Sequence, residues 1–453
     1  MLIENNANQQ SESILPVILC GGAGKRLWPL STDKKPKQIQ ALGAEKSQLR
    51  ITLDRLTDPV FAPPILTLNQ HHQQEIERIT ETVTNEYTAM LIEPVSRNTA
   101  LPIFVAALLA MDHIEKGRLS DHIKLLILPA DQHISPIEQF VDDIKTAAAS
   151  SSNEAIITFG VKPSSASPHY GYIQPIKART TCPLYPVQEF LEKPDQATAE
   201  QLVKNGNHLW NSGIFLTTPQ HVLQEAEQHA PNMLVQAKQA LDKANRNEKT
   251  ISLCQRAMQD APNLSFDHAV MEKTEQAFVM PASFDWSDIG SWVALWTLGD
   301  KDEHNTTSKG EVIYENVSNS LIYNTSRKPV RAQDLDNITL AVTDDGVVLC
   351  PLNTPQSENH DWGQSKTVVA NEIYSLKELV INPNQTVEVE TPQNTSIQWT
   401  VIKGRAEVSL GNKTTTIQAP ASIASQRGEK LCLKTNKENT IRVLKLAITQ
   451  AQG

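Results

Sequence analysis

The stretch Ile14-Leu15-Pro16-Val17-Ile18-Leu19-Cys20-Gly21-Gly22-Ala23-Gly24-Lys25-Arg26-Leu27-Trp28-Pro29-Leu30 decides the fold. Its first seven residues form an apolar run of strand length, and the glycines after it read as a tight loop leaving a buried strand. Similar runs recur at Ile65–Leu68, Ala89–Ile92 and Ile123–Leu128, with helical patterns at 70–83 and 99–116 between them. Strands alternating with helices at this spacing predict a Rossmann-like, mostly parallel sheet covered on both faces. The mixed α/β pattern continues to about residue 300 and includes a long helical stretch over 219–243.

Beyond residue 299 the character changes. Residues 310–351 are rich in Val, Ile, Leu and Asn, with the turn signal Asp345-Gly346, and predict short strands. Further strands are expected at 375–381, 386–390, 397–402 and 406–410, punctuated by Pro383-Asn384, Lys403-Gly404 and Gly411-Asn412. The predicted plan is an α/β domain over 1–300 with residues 1–13 disordered, a small β linker domain over 301–355, and an all-β domain over 356–453.

The 453 residues carry a formal net charge of −10. That balance argues against broad electrostatic binding to nucleic acid or an anionic membrane, so an anionic ligand needs a local basic cluster. The longest apolar run, 101–111, holds Pro102 and is too short to span a bilayer. Residues 1–13 show no basic region leading into an apolar one, so no signal peptide is expected. Five scattered cysteines without a C-x-x-C pair fit a reducing compartment, and the cytoplasm is the expected location.

Such a cluster follows the first strand. Gly21, Gly22 and Gly24 allow backbone N–H groups to approach phosphate oxygens, and Arg26 adds a planar, permanently charged fork. Lys34-Lys35-Pro36-Lys37-Gln38 follows and is expected to fold back over the same phosphates; the plainer reading is an ordinary strand-to-helix turn. The spacing is neither G-x-G-x-x-G, since Leu27 takes the last glycine place, nor a Walker loop, since Arg26 follows Lys25. Asp131, after the run ending at Leu128, sits where open α/β sheets bind ligands, as either a Mg²⁺ ligand or a helix N-cap. Asp288, in the Trp- and Gly-rich segment 284–292, is a second carboxylate that looks placed, although such turns also serve structure alone. Glu192-Lys193-Pro194 and Asn211-Ser212-Gly213 border strand-like runs and suit contact with a sugar hydroxyl.

Taken together and in order, these segments closely resemble the long bacterial mannose-1-phosphate guanylyltransferases, in which a cupin with phosphomannose isomerase activity follows the pyrophosphorylase. The matching segments are GGAGKRLWPLS (21–31), PKQ (36–38), EPVSRNTA (93–100), LPAD (128–131), YGYI (170–173), FLEKPD (190–195), WNSGIF (210–215), DHAVMEKT (267–274) and WSDIGSW (286–292). The resemblance implies that Gly21, Gly22, Gly24 and Arg26 hold the triphosphate of GTP, with Lys37 reaching its phosphates. It places Asn98 and Thr99 in the nucleotide-base loop. Gly171, Glu192, Lys193 and Asn211 would contact mannose 1-phosphate, and Asp131 with Asp288 would hold Mg²⁺. Lys25, Thr32, Ser96 and Gln132 stand where the family usually has Thr, Arg, Gly and His. Two other readings remain at this stage: a pyrophosphorylase for another nucleotide and sugar, and a non-catalytic regulatory or scaffolding homologue.

The all-β domain looks like the family's cupin, but its metal-ligand places read Glu390, Pro392, Ile397, Gln398 and Lys430, and no histidine follows His360. Proline and isoleucine cannot coordinate a cation, and imidazole is the usual nitrogen ligand. The expectation is a cupin-like domain without metal or isomerase activity, serving structure or self-association through the β domains.

Overall fold

The computed structural model describes residues 14–22, 24–83, 87–176, 182–352, 357–360, 362–370, 374–411, 413–437 and 439–449. The expectations for residues 1–13 and for the 355/356 boundary lie outside the described residues. The chain divides into two compact units, Met1–Leu352 and Asn353–Gly453.

In the first unit the strand Ile14–Cys20 lies near the middle of an eleven-stranded mixed sheet. Its side chains alternate between two cores: Leu15 and Val17 join one cluster, Ile14, Ile18 and Cys20 the other. Burial on both faces explains why the strand is a continuous apolar run rather than an alternating one. Ile65–Asn69 and Lys124–Pro129 flank it, both parallel to it. The chain thus runs outward through Ile65–Asn69 and Ala89–Glu93, then returns to the opposite side of its first strand. That reversal opens a crevice at the carboxyl ends of Ile14–Cys20 and Lys124–Pro129, where α/β sheets hold their ligands. Past Lys124–Pro129 the sheet turns antiparallel at Leu209–Thr217.

Some boundaries differ from expectation for identifiable reasons. The predicted helix over 219–243 is two helices, Pro219–His229 and Pro231–Asp242. Pro231 disfavours the α region at Ala230, which takes φ −144° and ψ 48° and splits the run. Asn211-Ser212-Gly213 lies inside the strand Leu209–Thr217 rather than opening one. Asp131 caps no helix, because the strand His133–Ser135 intervenes and Pro136 stands at the N-cap of Ile137–Ser150.

The segment 301–352 clusters with the first unit. Thr307–Lys309, Leu321–Asn324 and Ile338–Thr343 stack in parallel, as do Val312–Ser318 and Val330–Asp336. Asn316, Asn319 and Asn337 take positive φ in these coils, a conformation asparagine tolerates better than most residues.

The second unit pairs a six-stranded sheet with a four-stranded one. In Thr395–Lys403 every second residue points inward, and Ile397, Trp399 and Val401 enter an apolar core with Val408, Leu433 and Val443. Among the described residues no helix is long and apolar enough to cross a membrane.

Candidate active site

The crevice at the sheet's carboxyl edge is assembled from segments remote in sequence. Gly24 takes φ +57°, and a Cβ there would stand 2.8 Å from Cβ of Lys37, so glycine admits the loop and the lysine to one place. Gly21 and Gly22 are exposed at the loop's open side. Of the basic run, Pro36, Lys37 and Gln38 turn inward, whereas Lys34 and Lys35 are exposed. Gln38 is buried and donates from Nε2 to the Cys20 carbonyl at 2.7 Å, tying its short helix to the end of the first strand. Lys35 pairs instead with Asp345, in the turn before Gly346–Pro351.

Lys37 is the hub. Its ammonium lies 2.9 Å from Asp131 Oδ2 and donates to the backbone carbonyl of Asp288. One buried lysine therefore links the carboxylate of Asp131 to the backbone of Asp288, two segments remote in sequence. An antiparallel ribbon, His133–Ser135 against Asp285–Ser287, places them by pairing Ser287 with His133. The helix Gln48–Arg55 braces the turn between strand and ribbon: Thr52 Oγ1 donates to the Ala130 carbonyl at 3.1 Å, and Arg55 donates to that of Gln132 at the same distance. Burial brings the Arg55 guanidinium down to about 10.

Arg26 is exposed and donates to Asp288 Oδ2 at 3.1 Å. Asp288 Oδ1 accepts from Tyr170 Oη at 2.8 Å and from the Gly290 N–H at 3.0 Å. Burial first, then the charge of Asp288, pushes the Tyr170 phenol up, so it stays a donor at neutral pH.

A second group adjoins through Tyr170-Gly171. A Cβ on Gly171 would stand 2.5 Å from Glu192 Oε2 and 3.1 Å from Cβ of Asn211. Asn211 donates from its backbone to the Gly171 carbonyl at 2.8 Å and from Nδ2 to Asp267 Oδ1 at 2.9 Å. Lys193, at φ +49°, pairs with Glu192. Asp267 is half-buried, and desolvation followed by the Glu192 charge raises its carboxyl. Glu272 accepts from the Glu192 N–H at 3.2 Å and bonds His268 on its other oxygen.

Asn98 and Thr99 lie apart, beyond the strand Ala89–Glu93. Asn98 takes φ +61°, Thr99 accepts from the Phe266 N–H at 2.9 Å, and among the described residues neither bonds to the Lys37 group. Ser96, in the same segment, accepts from Asn69. Glu93 is almost wholly buried, which pushes its carboxyl up to about 8.

Sequence reasoning thus singled out the residues of both groups but missed Tyr170, Asp267, Glu272 and Arg55 as members or supports. The first three lie inside quoted segments, but their partners are remote in sequence and only the fold joins them. Arg55 gives no signal, being one basic residue at the end of an amphipathic helix.

The donor set suits a divalent cation. Two carboxylates supply hard oxygen ligands, and Asp288 uses three of about four lone-pair positions, leaving room for one more partner. Among the described residues no cluster of three or more His, Cys, Asp or Glu is placed to hold a metal. Magnesium typically takes one or two carboxylates and completes its shell with phosphate oxygens and water.

The nucleotidyl transferase family matches residues 15–305, and the mannose-6-phosphate isomerase C-terminal family matches 353–450. The chain belongs to the nucleotidyl transferase family. Its relatives include the alginate biosynthesis protein AlgA of Pseudomonas fluorescens, 32% identical over 87% of this chain and 85% of that one. Mannose-1-phosphate guanylyltransferase 2 of Escherichia coli O157:H7 is 30% identical over 90% of each chain. Among solved structures, the mannose-1-phosphate geranyltransferase of Thermus thermophilus superposes with a TM-score of 0.65 at 25% identity, over 75% of this chain and 95% of that one. The mannose-6-phosphate isomerase of Helicobacter pylori gives 0.51 at 25% identity, over 61% and 99%.

Proposed function

We infer that this chain is a mannose-1-phosphate guanylyltransferase, forming GDP-mannose and diphosphate from GTP and mannose 1-phosphate. The observation that carries the reading is Lys37, which bonds both Asp131 and the Asp288 backbone at the carboxyl edge of the sheet. The activity is assigned to residues 1–300.

A sugar phosphate is already ionised at neutral pH, so its oxygen attacks the α-phosphorus in line without a general base. A new P–O bond forms as the bond to the β-phosphate oxygen breaks, and diphosphate leaves with the electron pair. What the chain must supply is position and charge. Gly21, Gly22 and Gly24 present backbone N–H groups to the triphosphate, and Arg26 extends over it from the exposed side. Lys37, fixed by its two partners, meets the charge that grows on the leaving diphosphate, which favours the transition state over the ground state. Asn98 and Thr99 face the base. Glu192, Asn211 and Gly171 take the sugar, with Lys193 on its phosphate. Asp131 and Asp288 would hold Mg²⁺, which supplies Lewis-acid neutralisation of phosphate charge.

The second unit is read as a structural, cupin-like domain over residues 356–453 joined by the linker 301–355. Its place for a barrel ligand holds Ile397 beside the fully buried Trp399, while Glu390, Pro392, Gln398 and Lys430 are exposed. The exposed Ile313, Val347 and Leu349 support self-association through the β strands after residue 300. Five free thiols and nucleoside triphosphate chemistry support a cytoplasmic location.

Diphosphate release measured across pairs of nucleoside triphosphate and sugar 1-phosphate tests the reading. GTP with mannose 1-phosphate is expected to turn over fastest; turnover confined to UTP or dTTP overturns it.

A further inference from the structure

Tyr170 touches both halves of the site and has a role in neither as assigned above. Its ring is held edge-on by Trp210 at 4.8 Å between centroids and by Trp286 at 5.4 Å. A phenol has only two side-chain torsions, and rings on two sides fix both, so its hydroxyl occupies one place. That hydroxyl donates to Asp288 Oδ1 at 2.8 Å, opposite the pull of Arg26 on Oδ2 at 3.1 Å. The carboxylate is therefore oriented by a half-buried neutral donor on one side and an exposed cation on the other. The backbone that carries the phenol belongs to the other half-site. Gly171 follows directly, with its carbonyl bonded to the Asn211 N–H at 2.8 Å and no room for a Cβ beside Glu192. Trp210, which holds the ring, directly precedes Asn211 in the same strand.

We propose that Tyr170 is a positioning residue that couples sugar-phosphate binding to divalent-cation binding through the orientation of Asp288. The proposal rests on the reading of Asp288 as a cation ligand and of Gly171, Glu192 and Asn211 as sugar-phosphate contacts. Occupancy of the sugar half fixes the 170–171 backbone, the phenol then holds Asp288 Oδ1, and Oδ2 is presented to the cation. Without the hydroxyl, Oδ1 keeps only the Gly290 N–H, and Arg26 draws the carboxylate toward solvent. Coupling of this kind is reciprocal, so the cation tightens the sugar phosphate by the same factor as the sugar phosphate tightens the cation.

The test uses the full chain and Mn²⁺, whose free form gives an electron paramagnetic resonance signal, so binding is read without turnover. Mn²⁺ is titrated with and without mannose 1-phosphate in the wild type, in Tyr170→Phe and in Trp210→Phe. In the wild type the sugar phosphate is expected to tighten Mn²⁺ several-fold. Tyr170→Phe is expected to weaken Mn²⁺ about tenfold, the usual effect of losing a hydrogen bond to a charged group, and to abolish the tightening. Its affinity for mannose 1-phosphate alone should stay unchanged, which a merely structural defect would not allow. Trp210→Phe, which keeps the hydroxyl, should retain the tightening. Equal Mn²⁺ affinity and equal tightening in Tyr170→Phe and wild type overturn the proposal while leaving the active-site reading intact. A wild type that binds no Mn²⁺ under either condition overturns the cation-ligand reading itself, and the coupling with it.

Discussion

Lys37 holds an unusual position for a lysine, being 5% exposed, with a carboxylate and a carbonyl as partners. Burial of an ammonium is tolerated when a charge pairs with it, and breaking such a pair leaves the other ion uncompensated. Lys37→Ala is therefore expected to cut turnover about a hundredfold or more, the scale seen when one preorganised charge-stabilising group is removed. Steady-state diphosphate release checks this, and a loss of only two- or threefold contradicts the assignment. Glu93 makes a second residue-level case. Burial raises its carboxyl from the ordinary 4.5 to about 8, so between those values the folded chain keeps a proton that the unfolded chain gives up. This contribution is fully present below the lower value and is lost as pH rises toward the upper one. The urea midpoint of the wild type should fall over that window, and Glu93→Gln should flatten the fall. Parallel profiles for the two proteins would show that Glu93 is ionised throughout.

At the scale of elements, the site depends on how short pieces approach one another. Gly171 illustrates this, because its missing side chain admits Glu192 Oε2 to within 2.5 Å of where a Cβ would stand. Gly171→Ala displaces the Glu192 carboxylate, the group proposed to meet the sugar, and crowds Cβ of Asn211 at 3.1 Å. KM for mannose 1-phosphate is expected to rise about tenfold with kcat less affected, the pattern of lost ground-state binding. An unchanged KM would remove Gly171 and Glu192 from the sugar contacts. The strands around this site were legible in the sequence because burial on both faces writes an apolar run, as at Ile14–Cys20. Residues 386–390 were read to their ends for a related reason, alternation closed by turn residues. The His133–Ser135 ribbon was not legible. Three residues carry no periodicity, and their pairing with Asp285–Ser287 is a long-range contact that local pattern cannot encode. Tyr170 escaped for the same reason, since its partner Asp288 is remote in sequence and only the fold joins them.

Across the whole molecule, the two units treat polar chemistry in opposite ways. The first gathers buried charge at its sheet edge, whereas the second fills its interior with apolar side chains around Trp399, whose indole N–H is satisfied by Ser425 at 3.3 Å. A large buried ring occupies volume that a metal and its water would need, and a filled core resists opening because voids are costly. Conversion of mannose 6-phosphate to fructose 6-phosphate with added Co²⁺ or Zn²⁺ should therefore stay at background in a coupled assay. Metal-dependent conversion above background would show that the second unit keeps a site of another design.

Guanylyl transfer is expected to run on Asp131 and Asp288, the two acidic residues linked through Lys37. This expectation is tested most directly by GDP-mannose formation from GTP and mannose 1-phosphate as Mg²⁺ is raised from zero, in the wild type and in Asp288→Asn. The wild type should be inactive in EDTA and saturate with Mg²⁺, while the variant, folded by circular dichroism, should fall about a hundredfold or more at every concentration. Wild-type turnover in Asp288→Asn, or turnover that persists in EDTA, would contradict it.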